Sequence, residues 1–238
     1  MTVVDLHSII PAFYLQLYFA ALLLLGAAGM AYDFVAGKKL AFMRWEGNAG
    51  REPPRFSAST LLRTVVVDLA GSRQLSACGV SRRASHVLML WGFILSGAAV
   101  FLQTFFFPDA SPLAAAFLVP LNVGGLMVLV GGLWFLPLRA DVRYEGRPLL
   151  RFTRADVFVL NLIAMAALGF GLEAAMLSGS VPSTEVALAL YLPVTAFLFV
   201  SVPWTKFPHI FYKAGLIVQE KLEGRPARLP VPTEAGGE

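Results

Sequence analysis

The chain of 238 residues is 57% hydrophobic and only 14% charged, with a mean hydropathy of +0.69, which excludes a water-soluble globular domain. Its net charge of +4 does not indicate nucleic acid, because the basic residues follow a topological pattern and suit anionic lipid on an inner leaflet. A single cysteine, Cys78, excludes an intrachain disulfide and an iron–sulfur cluster ligated by cysteines of this chain alone.

Crossing a bilayer takes about 20 mainly apolar residues in a helix. Five stretches meet that length: Ile9–Val35, Ser85–Phe107, Pro112–Leu138, Asp156–Ser178 and Glu185–Val202. The predicted fold is an all-α integral membrane bundle of five helices over residues 1–223, with a tail over 224–238 that reads as disordered. The first segment, MTVVDLHSII, lacks a basic leader, so the first helix reads as an anchor rather than a cleaved signal. All 19 Lys and Arg residues fall in three segments: nine between the first and second spans, five between the third and fourth, and five after the fifth. Basic loops stay cytoplasmic, so the N-terminus is outside and the C-terminus inside.

The inner loop from residue 36 to 84 is too long for a plain connection. Its segment LLRTVVVDLAGSRQL has a partly apolar face through Leu61, Leu62, Val65, Leu69 and Leu75. It predicts an amphipathic helix on the inner membrane surface, with a partner-docking helix as the rival. In the third span, Gly124-Gly125 and Gly131-Gly132 repeat after seven residues, a spacing that allows close helix packing. Gln16, Gln103, Asn122 and Asn161 read as interhelical hydrogen-bonding groups. Glu173, toward the outer end of the fourth span, reads as a carboxylate that reaches headgroup water.

Histidine is scarce: His7, His86 and His209. His86 follows Arg82 and Arg83 at the inner end of the second span, and His209 lies past the inner end of the fifth. Two antiparallel helices can thus offer an imidazole each at the cytoplasmic edge, a geometry that suits one b-type haem. Its propionates would find Arg82, Arg83 and Lys206, and its macrocycle Leu88, Leu90, Trp91, Phe207 and Phe211. The bland alternative is a pair of interfacial histidines that reach headgroups.

Two stretches carry a family resemblance. SRRASHVLMLWGFILSG resembles the second helix of the cytochrome b subunits of respiratory nitrate reductase (its gamma subunit) and of heterodisulfide reductase. VPWTKFPHIFYK resembles the end of their fifth helix. The resemblance implies a membrane subunit that passes electrons between the quinone pool and a cytoplasmic iron–sulfur partner. It also implies haem iron held by His86 and His209. Relatives of that kind usually hold a second, outer haem, whose ligand positions fall here at or near Ser96 and Tyr191. Neither is a normal partner for b-haem iron, so one haem, the inner one, is expected. A rescue of the outer haem by His7 with Met176 is disfavoured, because no pattern sets them opposite one another. The rival function is a non-redox plasma-membrane anchor whose basic loops dock a soluble enzyme. A transporter would show charges in mid-span or paired broken helices, and neither stands out.

Overall fold

The structure, a computed structural model, describes residues 3–36, 79–107, 115–140, 148, 152 and 154–202. The expected surface helix in the first inner loop, His209, Lys206 and the tail lie outside the described residues. A short helix α1 (Leu6–Ile9) precedes α2 (Ala12–Ala36), α3 (Val80–Phe106), α4 (Leu118–Leu138), α5 (Arg154–Leu177) and α6 (Val181–Val200). Helices α2 to α6 are each long and apolar enough to cross a membrane, which makes this a multi-pass membrane protein.

Two boundaries differ from expectation for local reasons. Helix α3 begins at Val80 rather than Ser85, so Arg82 and Arg83 lie within it. Their long apolar stems allow this, because a guanidinium can extend away while its methylenes stay in an apolar layer. Helix α6 begins at Val181 rather than Glu185, since the Ser180 side chain accepts from the Ser183 amide and Pro182 occupies the first turn. Gly179, with φ 73°, provides the left-handed residue that turns α5 sharply into α6.

The spans close into a ring. Helix α3 packs on α4, α4 on α5, α5 on α6, α6 on α2, and α2 returns to α3. Helices α3 and α6 are not a closely packed pair. They meet in the core cluster, where Phe93 of α3 and Phe199 of α6 pack against Val128, Leu162, Ala166 and Leu198. Helix α4 is apolar all round, so its glycines rather than an apolar stripe decide which faces meet neighbours. A Cβ at Gly124 would lie 2.6 Å from the Ser96 amide nitrogen, and one at Gly131 would lie 2.8 Å from the Ser85 carbonyl oxygen. Gly125 and Gly132 instead face Phe170 and Ile163 of α5. The paired glycines therefore serve two neighbouring helices.

Candidate functional site

Helix α3 presents Ser85, Met89, Gly92, Ser96 and Ala99 to α4, and all five are buried. That stripe repeats every three to four residues, as one face of a helix must. His86 stands one position round from Ser85 and is half-buried. Seven residues on, and so nearly on the same side of the helix, Phe93 enters the core cluster. His86 therefore shares the side of α3 that turns toward the bundle interior.

The depth of His86 follows from the α3–α4 register. Ser85 abuts Gly131, and the Arg82 guanidinium lies 5.9 Å from the centre of the Phe135 ring. From Gly131 to Arg139, at the inner end of α4, the helix rises about 12 Å. Along that contact His86 stands about 12 Å from the level of Arg139.

That level holds an ion pair. Arg139 Nη2 lies 2.9 Å from Asp156 Oδ2, with side chains only 1% and 5% exposed. The Arg139 guanidinium also stands 5.3 Å from the Phe152 ring centre. The placement suits both helix dipoles, with a cation at the end of α4 and an anion in the first turn of α5. Sequence reading counted Arg139 among the loop charges and missed the pair. The available signal was an arginine closing one apolar span and an aspartate opening the next.

Further along the helices, Ser96 and Tyr191 stand in contacts between spans. Ser96 Oγ donates to the Gly92 carbonyl at 2.8 Å, while the Ser96 backbone touches Gly124. Tyr191 leans on α5, with its ring 3.6 Å from where a Gly169 Cβ would stand. Nearby, the Tyr18 hydroxyl donates to the Leu192 carbonyl at 2.5 Å and lies 2.6 Å from Thr195 Oγ1. Asn161 Nδ2 donates to the Val194 carbonyl at 3.3 Å. These side chains brace α6 around Pro193, whose ring cannot donate a backbone hydrogen bond.

At the outer end, the Val4 amide donates to the Met176 carbonyl at 3.0 Å, which ties the first residues to the end of α5. Asp5 caps α1, and His7 Nδ1 is enclosed without a hydrogen-bond partner. Glu173 is half-buried, and its Oε1 accepts from Asn122 Nδ2 at 2.9 Å. Trp91, expected beside a cofactor, is 43% exposed and turned to the lipid side. Among the described residues, no group of three His, Cys, Asp or Glu side chains could hold a metal ion. Among the described histidines, His86 lies within a candidate membrane span and is half-buried.

No family model matches the chain, and no solved structure matches it. The chain is 30% identical over 152 residues to citrate utilization protein B of Escherichia coli, a stretch covering 60% of this chain. It spans 38% of that protein's length.

Proposed function

We propose that this chain is the membrane electron-transfer subunit of a plasma-membrane oxidoreductase, passing electrons between a quinone and a cytoplasmic iron–sulfur protein through one haem b. The reading rests on the resemblance of the His86 and His209 segments to the nitrate reductase and heterodisulfide reductase cytochromes. The observation that carries it is the placement of His86, half-buried within the α3 span and about 12 Å along the α3–α4 contact from the level of Arg139. An ionisable side chain at such depth is costly and marks a functional site by default. When bound, haem supplies one-electron chemistry at its iron. This chain's own residues hold and shield it: His86 and His209 as axial ligands, Arg82, Arg83 and Lys206 as partners for the anionic propionates, and the ring of spans as the barrier to water.

A single haem is proposed because Ser96 and Tyr191, neither a normal ligand of b-haem iron, stand where the outer ligands would be, and the helix geometry bears on the inner one. That geometry sets a condition on His209. Asn161 reaches Val194, so by helix rise Val200, where α6 ends, lies near the level of Asp156. A helix continued beyond Val200 would carry residue 209 away from His86. Pairing needs the chain to turn back after Val202, and Pro203 and Pro208 stand where such a break is required. The relative's name makes citrate utilization the first setting in which to seek the soluble partner.

Purified chain decides the matter. The expected result is one haem b per chain, seen as a reduced-minus-oxidised absorption band, and its loss in His86→Ala and in His209→Ala. A colourless protein from haem-replete cells would favour the non-redox anchor, and two haems per chain would refute the single-haem reading.

A further inference from the structure

We propose that Glu173 is a proton-exchange site, whose carboxyl group takes up and releases a proton with water at the end of the bundle opposite the basic segments. The site is independent of the haem reading above. Glu173 is half-buried within the α5 span, and its Oε1 accepts from Asn122 Nδ2 of α4 at 2.9 Å. A neutral amide orients a carboxylate but does not cancel its charge. Ionisable groups in membrane spans are costly, and those that persist mark proton or ion pathways.

No Lys or Arg is at hand to neutralise it, since none stands in residues 1–37, 84–138 or 155–205. With five successive crossings, all three basic segments leave the bundle at one end, and Glu173 is near the other. Arg154 opens α5 and Arg139 follows α4; by helix rise they stand about 28 Å from Glu173 and about 25 Å from Asn122. The elements packed against α5 add no permanent cation. Helix α4 has no ionisable side chain, and α6 has Glu185, exposed near its start, and Tyr191. Asp156 is at the far end of α5 itself. The Val4–Met176 hydrogen bond sets the N-terminal segment, with Asp5 and His7, nearly one turn past Glu173. What the carboxylate can bind is therefore a small cation from solution. Hard metal ions take about six oxygen ligands or more, and no group of three His, Cys, Asp or Glu among the described residues could hold one. A proton needs a single oxygen, and Glu173 is only about 6 Å of helix rise from Leu177, where α5 ends.

Reaction of the full-length chain in lipid nanodiscs with dicyclohexylcarbodiimide tests the site. The O–H of a carboxylic acid adds across one N=C bond of the reagent, and the adduct rearranges to a stable N-acylurea with no leaving group, which peptide mass spectrometry locates. Glu173 is expected to be labelled several-fold more than Asp5 or Glu185, and its labelling should fall as the pH rises. In sealed vesicles of one orientation, labelling should follow the pH on the side of the N-terminal segment. Infrared difference spectra between acid and alkaline pH should show a protonated carboxyl band that is missing in Glu173→Gln, a variant that keeps an acceptor for Asn122. An unlabelled Glu173 with no such band overturns the proposal. Labelling indifferent to pH, or one that follows the pH on the opposite side, overturns it too. Haem enters neither readout, so the haem reading and this site fail separately.

Discussion

Helices α3 and α4 meet backbone to backbone, whereas α2 is attached to the ring through side chains. In the first contact Gly92, Gly124 and Gly131 let main-chain atoms approach within distances that any Cβ would violate. In the second, α2 holds on through Tyr18 and Gln16, the latter donating from Nε2 to the Thr104 carbonyl at 3.0 Å, while Leu24 and Val35 remain about 70% exposed. Lipid is as apolar as leucine, so apolar side chains alone give little reason for spans to associate. Close fit or hydrogen bonding must supply it. One contact uses the first means and the other the second, and the rigid one carries His86.

The difference can be broken most sharply at Gly124. Gly124→Leu places a branched side chain against the Ser96 nitrogen and the Gly92 carbonyl, backbone atoms that cannot step aside. Overpacking costs typically 1–3 kcal/mol, and with backbone on the far side we expect about 3 kcal/mol or more. Denaturant titration in detergent measures the loss. Because α3 would tilt off α4, the proposed haem should bind less well in the same variant, although neither proposed ligand is touched. Full stability in Gly124→Leu would show that the two helices do not meet as described.

Tyr18→Phe sharpens the other side of the comparison. It removes the hydroxyl shared by the Leu192 carbonyl and Thr195 Oγ1 while leaving the ring in place. Interhelical hydrogen bonds in membranes average about 0.6 kcal/mol and reach about 1.7. A loss of about 1 kcal/mol is therefore expected, read from the same denaturant curves. Content of the proposed haem should not change, since α2 carries neither proposed ligand. A loss as large as that of Gly124→Leu would mean that α2 is as integral to the bundle as α4.

The same contrast explains what could be read from the sequence. The five spans were legible because apolar length acts locally along the chain. Three of the four expected polar links were legible as types: Gln16, Asn122 and Asn161 do bond across helices. Their partners were not, because Glu173 and the carbonyls of Thr104 and Val194 come near only after packing. The paired glycines announced close approach but not that each pair divides between α3 and α5. That His86 stands more than a turn into α3 was hidden for a simpler reason. Arg82 and Arg83 read as loop until the structure showed them inside α3, one guanidinium over Phe135. The Arg139–Asp156 pair joins residues that look in sequence like two unrelated loop ends.

The smallest expected effect is the control that gives the others meaning. Gly97 adjoins Ser96 on α3, yet a Cβ there would meet no atom within 4 Å. Gly97→Ala therefore adds a methyl group to open, lipid-facing space. In water such a change would stabilise a helix by about 0.5–1 kcal/mol, since alanine has less backbone freedom to lose. In a bilayer the separated span must stay helical to satisfy its own backbone, so most of that gain disappears. A shift of no more than a few tenths of a kcal/mol is expected, stabilising in sign. If Gly97→Ala were as damaging as Gly124→Leu, glycine content in general, rather than the single face of α3 that touches α4, would govern the bundle. A near-zero effect beside a large one, from glycines on opposite sides of the same contact level, would locate the rigid platform on one face and nowhere else.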